Sequence, residues 1–189
     1  YVADGIFQNQ TEVNAHTDEY GTVIQPNAQP GDIRFKDLNH DGKLDDNDKT
    51  FIGNAFPDLM VGINARLAWK NIDFAANFYG TIGNDVYNTT KGRYSGVSGE
   101  NVYAGTYNAS WHGEGTSYDL PRLSYNDANQ NWTRVSSFYV EDGSYLRCKQ
   151  LQIGYTLPKK WTKKISLRLS FSAQNPFTIT GYSGMDPEA

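Results

Sequence analysis

Two stretches of this chain alternate between apolar and polar residues almost without a break. In the longer one, residues 144–175, apolar residues recur at every second position on both sides of a short basic segment, Pro158 to Lys164. These apolar positions are Leu151, Ile153, Tyr155, Leu157, Ile165, Leu167, Leu169, Phe171 and Ala173. A period of two places them on one face of two β-strands, so the stretch predicts an antiparallel hairpin with one apolar and one polar face.

The first strand of this hairpin changes phase near its start. Leu146 and Cys148 have even numbers, whereas the apolar positions from Leu151 onward have odd numbers. One extra residue would return both sets to a common face, so we expect a β-bulge near Lys149 and Gln150. Cys148 is the only cysteine, which excludes an internal disulfide and favours a role as a small apolar strand residue.

A second hairpin of the same kind is predicted at residues 59–80. Its apolar positions are Leu59, Val61, Ile63, Ala65, Leu67, Trp69, Ile72, Phe74, Ala76 and Phe78. The alternation changes phase only across Lys70 and Asn71, as a two-residue hairpin turn requires. With 13 tyrosines and 18 glycines the rest of the chain has the composition of long polar loops, and the net charge of −4 gives no support to nucleic-acid binding.

An acidic loop at residues 37–48 interrupts the otherwise irregular first 58 residues. A short strand, predicted at residues 32–37, leads into it. The loop matches the twelve-residue calcium pattern, with oxygen donors at positions 1, 3, 5, 9 and 12, a backbone carbonyl at position 7 and glycine at position 6. The predicted ligands of a structural Ca²⁺ are Asp37, Asn39, Asp41, Lys43, Asp45 and Asp48. The alternative is a loop of Asx turns whose carboxylates are solvated.

The segment between the hairpins, residues 81–143, has no periodicity and is rich in Tyr, Gly, Ser and Asn. Aromatic rings beside Asn and Ser suit stacking on sugar rings or holding a peptide backbone, although the rings could equally pack the loop against itself. The candidate substrate-binding residues are Tyr94, Tyr103, Tyr107, Trp111, Tyr118 and Tyr125. His16, His40 and His112 stand apart, and the sequence contains no catalytic set, so we expect no enzymatic activity.

The apolar faces of the two hairpins could meet lipid or a soluble protein core. Their connections are very short on one side and long on the other, which is typical of outer-membrane barrels. About eleven residues at 3.3 Å each, tilted by about 45°, span roughly 25 Å, the height of the apolar band of such barrels. If the face meets lipid, Leu169→Arg should cost roughly 2 to 4 kcal/mol at the membrane midplane. A soluble β-sandwich could show the same alternation.

Several motifs resemble SusC/RagA-type TonB-dependent outer-membrane transporters of Bacteroidota. They are GDIRFKDLNHDGKLDDND at residues 31–48, IGNAFPDLMVG at 52–62, SSFYVEDGSYLR at 136–147, LQIGYTLP at 151–158 and SAQNPFTITGYSGMDP at 172–187. The resemblance implies an all-β fold: antiparallel strands of a large transmembrane β-barrel with long extracellular loops. It also implies an outer-membrane importer of oligosaccharides or peptides that works with a SusD-like surface lipoprotein and with TonB.

This resemblance assigns a place to each part of the chain. Residues 1–58 would be an extracellular loop region with the calcium-type loop, 59–80 a barrel hairpin, 81–143 a long extracellular loop, 144–175 a second barrel hairpin, and 176–189 the start of the next extracellular loop. No plug domain or TonB box is present in the sequence, so we expect the chain to supply about four wall strands from the C-terminal barrel portion of a longer parent protein. The alternative is a soluble, secreted, calcium-braced carbohydrate-binding β-domain.

Overall fold

The structure of the chain, a computed structural model, describes residues 1–93, 101–163 and 165–188. It contains two compact units. The loop unit comprises Tyr1–Gly53 and Tyr87–Val140, and the sheet unit comprises Asn54–Val86 and Glu141–Ala189.

Strands dominate the described residues. In chain order the elements are β1 (Ala3–Ile6), α1 (Gln10–Ala15), β2 (Ile33–Phe35), β3 (Leu59–Trp69), β4 (Ile72–Ile82), β5 (Asp85–Tyr87), α2 (Thr90–Arg93), α3 (Ala104–Ala109), β6 (Val140–Asp142), β7 (Tyr145–Thr156), α4 (Lys159–Thr162) and β8 (Arg168–Thr180). Two turns of 3₁₀-helix lie at Asp46–Asp48 and Ser137–Tyr139. None of the helices within the described ranges is long and apolar enough to cross a membrane.

The sheet unit is built on one antiparallel sheet in the order β3, β4, β7, β8. The two predicted hairpins are therefore neighbours, and the long segment between them does not insert a strand into this sheet. The turn at Lys70 and Asn71 is tight, with Lys70 in the left-handed region at φ 53°. Asn71 Nδ2 donates to the carbonyl of Thr156 over 2.7 Å, which ties the turn to the end of β7.

The predicted bulge is confirmed. Asn77 pairs with Gln150 but Phe78 pairs with Cys148, so β7 holds one extra residue, Lys149, relative to β4. A second irregularity lies opposite it in β8, where Asn175 has a φ of 47° and precedes Pro176.

This second irregularity corrects the predicted end of the hairpin. The predicted hairpin ends at residue 175 and residues 176–189 are predicted to be a loop, but β8 continues to Thr180. Asn and Pro together read as a strand terminator, yet a proline is accommodated at a bulge in a strand at the edge of a sheet. β8 also begins at Arg168, later than the alternation from Ile165 suggested, and α4 occupies part of the basic connection.

Residues 1–58 and 81–143 are predicted to be irregular, but in the structure much of them folds into the loop unit, which contains short strands and helices. The predicted strand at 32–37 is β2, which pairs with β1. Phe7, Val13 and Ala28 form a buried cluster beside this pair. Because residues 87–140 fold together with residues 1–53, they form one compact unit with its own interior.

Candidate functional site

The sheet unit has one apolar face that runs unbroken across all four strands. Cross-strand neighbours form rows on this face, and three successive rows are Ile63–Phe78–Cys148–Phe177, Ala65–Ala76–Leu151–Ala173 and Leu67–Phe74–Ile153–Phe171. Most large side chains of these rows are exposed; Leu67 is 68% exposed and Phe171 is 70% exposed. A soluble monomer rarely exposes so large a contiguous apolar surface, so this face requires an apolar environment.

The opposite face of the sheet is polar along the same rows. Neighbouring positions across the strands are Gly62–Tyr79–Arg147–Thr178, Asn64–Asn77–Gln150–Gln174 and Arg66–Ala75–Gln152–Ser172. Because the two bulges lie at one level, the apolar and polar faces keep their identity on both sides of them. The sheet is thus a wall with one apolar and one polar surface.

On the polar face, an ion pair joins β4 and β8 across the intervening strand β7. Arg168 of β8 donates from Nε to Asp73 Oδ1 of β4 over 3.1 Å, and its Nη2 lies 2.5 Å from Asp73 Oδ2. Gly154 lies between them, and a Cβ at this position would be 2.3 Å from Arg168 Nη2. The glycine therefore leaves room for side chains from two strands to meet across a third.

A second charged cluster lies on the polar face near the opposite end of β7. Arg147 is buried and donates from Nε to Thr178 Oγ1 over 2.8 Å, while its two terminal nitrogens each lie 2.5 Å from a carboxylate oxygen, one of Asp186 and one of Glu188. Lys149 Nζ is also 2.5 Å from Glu188. The hydrogen bond from the Glu188 backbone N–H and the Arg147 guanidinium together lower the pKa of Asp186. These contacts fix residues 182–188, which we call the return segment, to the sheet.

The acidic loop has the glycine conformation that its pattern demands, because Gly42 has a φ of 79°. Asp37 Oδ2 accepts the Gly42 N–H over 2.8 Å, and Asp37 Oδ1 accepts the His40 N–H over 2.7 Å. Asp48 is fully buried and accepts the N–H groups of Leu38 and Asp45. The loop is thus wrapped around its first and last carboxylates.

Three of the other predicted calcium ligands are engaged with the backbone of the loop. The side chains of Asn39, Asp41 and Asp45 accept hydrogen bonds from backbone N–H groups two residues further along the chain. Within the described ranges, no three Asp, Glu, His or Cys side chains converge in an arrangement that could hold a metal ion. The donor chemistry suits a hard cation, whereas the side-chain positions are those of a loop held by its own amides.

The predicted aromatic residues occupy different environments. Tyr103, Tyr107, Tyr118 and Tyr125 are exposed, and Tyr107 packs edge-on against His112 with ring centroids 4.9 Å apart. Trp111 is half-buried, and a Cβ at Gly31 would be only 2.4 Å from its ring. Trp111 therefore packs against the backbone of the loop unit and does not present a free ring. Tyr94 lies outside the described residues.

The loop unit contains a network of buried amide side chains that the sequence pattern does not predict. Asn131 Oδ1 accepts the N–H of Ile33 over 2.8 Å, and Asn129 and Gln25 both donate to the carbonyl of Ile33. Gln25 Oε1 in turn accepts the N–H of Phe35 over 2.7 Å. These side chains satisfy the backbone of β2 as a neighbouring strand would.

The network includes an ion pair whose carboxylate is buried. Asp32 is fully buried and accepts from Arg122 Nε over 2.6 Å and from Asn131 Nδ2 over 2.8 Å. The partners are 90 or more residues apart in sequence. No local pattern could have revealed them, because Asn and Arg in polar segments are ordinarily interpreted as solvated loop residues.

Two of the three histidines, His16 and His112, contact the backbone of the loop unit. His16 Nε2 lies 3.0 Å from the carbonyl of Phe35, and burial lowers the pKa of this imidazole. His112 Nδ1 lies 2.6 Å from the carbonyl of Ser110. Both rings therefore contact backbone carbonyls of the loop unit.

The curated proteins similar in sequence to this chain are TonB-dependent receptors. No protein-family model matches the chain. TonB-dependent receptor P3 from Formosa agariphila is 36% identical over 170 residues, which cover 88% of this chain and 16% of that receptor. TonB-dependent receptor SusC from Bacteroides thetaiotaomicron is 26% identical over 192 residues, which cover 95% of this chain and 18% of SusC. These relatives are named as receptors and not as enzymes.

Solved structures show the same fold. The RagAB peptide importer in its open-open state matches 99% of this chain and 19% of the solved chain, with a TM-score of 0.66 and 20% identity. A second RagAB peptide transporter structure matches 71% of this chain and 15% of the solved chain, with a TM-score of 0.58 and 24% identity. The chain spans less than a fifth of the length of the curated relatives it matches. It belongs to the SusC-like family of TonB-dependent transporters and corresponds to a segment of their β-barrel.

Proposed function

We propose that the sheet unit forms four adjacent wall strands of an outer-membrane nutrient importer. In this arrangement the apolar face meets lipid and the polar face lines the lumen. The short connections at Lys70 and at α4 are periplasmic, whereas residues 1–58 and 81–143 are extracellular loop regions. Transport itself is a property of the longer protein.

The observation that carries this proposal is the continuous apolar face on four paired strands. An exposed sheet of this kind needs a lipid environment or a second layer of protein to cover it. The soluble carbohydrate-binding alternative requires that second layer, and the exposed side chains of β3 and β8 give it no support.

Site-directed spin labelling of the full-length transporter in lipid vesicles tests the orientation. Cysteines at Leu67 and Phe171 should be accessible to oxygen dissolved in the bilayer, and cysteines at Arg66 and Gln152 should be accessible to a water-soluble nickel chelate. The native Cys148 is fully buried and serves as an internal background. Equal accessibility of both sets to the nickel chelate would show that the sheet does not separate lipid from water.

We also propose that the importer takes up an oligomeric nutrient, an oligosaccharide or a peptide, together with a SusD-like surface lipoprotein and with energy from TonB. The exposed rings of Tyr103, Tyr107, Tyr118 and Tyr125 support a role of the loop unit in substrate contact, because such rings stack on sugars and peptide groups at little entropic cost. RagAB is described as a peptide importer, which makes peptides one of the two solute classes to test.

The partner and the substrate are tested separately. Affinity purification of the tagged full-length transporter from outer membranes should retain a surface lipoprotein in near-equal amount. Replacing the four exposed tyrosines by serine should weaken uptake of one labelled solute class while leaving the amount of folded barrel unchanged. Unchanged uptake of both peptides and oligosaccharides would remove these tyrosines from the substrate path.

For the acidic loop we propose a structural calcium ion. Asp37 and Asp48 would hold it together with Asn39, Asp41, Asp45 and the carbonyl of Lys43, and the ion would stiffen the loop without taking part in transport. Support comes from the oxygen-donor pattern and from the left-handed Gly42. Binding would require the side chains of Asn39, Asp41 and Asp45 to turn towards the buried carboxylates.

A further inference from the structure

The loop unit contains a pocket whose only charged side chains, among the described residues, are cations. Its volume is about 390 Å³, within the range of small-molecule binding pockets. The lining residues are Thr22, Val23, Ile24, Gln25, Pro26, Asn27, Gly42, Lys43, Leu44, Ala128, Asn129 and Arg134. In a chain with a net charge of −4, a cavity lined by Lys43 and Arg134 without an acidic side chain stands out. We call it the Arg134 pocket.

Arg134 has an unusual environment for a guanidinium group. Its Cζ lies 4.5 Å from the ring centroid of Tyr1 and 5.1 Å from that of Phe35, so aromatic rings pack against the charge. Nη2 donates to Gln130 Oε1 over 3.2 Å. Nε and Nη1 are buried and have no acceptor in the described part of the chain. Burial lowers the pKa of Arg134, whereas the charges of Tyr1, Asp48 and Asp127 act in the opposite direction.

The two acids whose charges act on Arg134 are already engaged. Both carboxylate oxygens of Asp48 accept backbone N–H groups, and so do both oxygens of Asp127, from Asn131 and Trp132. Neither acid forms an ion pair with Arg134 among the described residues. An anion that entered the pocket would therefore displace no ion pair of the Arg134 guanidinium.

The remaining walls suit the organic part of such a ligand. Val23, Ile24, Pro26 and Leu44 offer apolar surface, and the Lys43 side chain is exposed and free to approach an oxygen atom. Two cations in a small cavity match a single carboxylate, which guanidinium and ammonium groups bind by charge-assisted hydrogen bonds.

We propose that the Arg134 pocket binds a carboxylate of the imported solute, either a uronic acid in an oligosaccharide or the free carboxylate of a peptide. This assignment rests on the proposed import function and narrows it to acidic solutes. The pocket would then be a selectivity site that belongs to the loop unit and not to the wall strands.

Calorimetric titration of the purified full-length transporter provides the test, with two matched pairs of probes. The first pair is trigalacturonic acid and its methyl ester, and the second is trialanine and its C-terminal amide. We expect one free acid to bind about tenfold tighter than its neutral partner, the value of one charge-assisted hydrogen bond. The pair that discriminates identifies the source of the carboxylate.

Variants locate the effect in the pocket. Lys43→Met and Arg134→Met should each remove most of the acid preference, whereas Lys36→Met, which removes a cation outside the pocket, should leave it unchanged. Should Arg134→Met fail to fold, Arg134→Lys retains the charge but not the planar donors, and it should weaken the acid preference several-fold. Equal affinity for acid and neutral probes, or an acid preference that survives Lys43→Met and Arg134→Lys, would overturn the proposal. Spin labelling of the wall does not depend on this result, so the two proposals can fail independently.

Discussion

Placing an arginine on either face of β7 should separate the lipid-facing from the lumen-facing side of the wall. Leu151 and Gln152 are consecutive residues on opposite faces, each paired on both sides with residues of β4 and β8. Leu151 belongs to the row Ala65–Ala76–Leu151–Ala173, which lies next to the middle of β3. A charge there would lie near the midplane of the apolar band.

The expected magnitude follows from depth along the strands. Successive rows are two residues apart, which at 3.4 Å per residue and a tilt of about 40° is about 5 Å of depth. Leu151→Arg should thus lower the free energy of unfolding by about 2 to 4 kcal/mol, the cost of arginine near a bilayer midplane. Leu169 pairs with Tyr155 in the last paired apolar row before the short connections. This row is about 10 Å further from the midplane than the row of Leu151, and thus closer to the membrane interface. The structure therefore revises the cost of Leu169→Arg to about 0 to 1 kcal/mol.

The assay is the guanidinium midpoint of the folded full-length transporter in lipid vesicles, followed by the loss of its heat-modifiable band on gels. Gln152→Arg is the matched control, because it places the same side chain on the polar face one residue away. Equal losses for Leu151→Arg and Gln152→Arg would refute the assignment of the two faces. A loss for Leu169→Arg as large as for Leu151→Arg would refute the depth argument.

Three further predictions concern the loop unit and the return segment. Terbium luminescence should detect a lanthanide in the acidic loop of the full-length transporter, and Asp41→Ala should abolish this signal; an unchanged signal would place the ion elsewhere. Asn131→Ala should destabilise the loop unit by about 1 to 3 kcal/mol, because it leaves the N–H of Ile33 buried without an acceptor. Limited proteolysis should reveal this loss, whereas Thr133→Ala at an exposed position should behave as wild type. The lowered pKa of Asp186 means that its stabilising contacts are present above the unfolded pKa and are lost as the pH falls through the folded value. Protection of the return-segment amides, measured as the hydrogen-exchange rate relative to that of an unstructured peptide at the same pH, should thus be high at neutral pH and fall below about pH 4. Arg147→Met should lower this protection at neutral pH; protection that responds to neither change would contradict the role of these ion pairs.

The sequence predicted the wall well because its determinants are local. Alternation is a property of consecutive residues, and the bulge at Lys149 was visible as a change of phase between Cys148 and Leu151. The predicted end of β8 is wrong for an equally local reason. Asn175 and Pro176 resemble a strand terminator, and only the pairing of Phe177 with Cys148 shows that the strand resumes.

The loop unit could not be predicted in the same way, because its interior is not made mainly of apolar residues. Gln25, Asp32, Asn129 and Asn131 are all buried, and they complete the hydrogen bonds of β2 from positions far away in sequence. The calcium pattern was recognisable along the chain, but the orientation of its side chains depends on which backbone amides they meet.

The two units therefore differ in where their apolar and polar side chains lie. In the sheet unit most large apolar side chains of the apolar face are exposed, and the buried residues include Arg147 and Asn84. In the loop unit much of the interior is polar. A sheet of this kind gains stability from its apolar solvent and needs no hydrophobic core of its own. The loop unit buries apolar side chains such as Phe7, Ile33 and Phe35, but it buries many amides and carboxylates beside them, so its compact state also requires hydrogen bonds that satisfy these polar groups. The many asparagines of residues 81–143 are thus not only a sign of solvated loops. At Asn129 and Asn131 they complete the buried hydrogen bonds of β2, in addition to the apolar cluster of the loop unit.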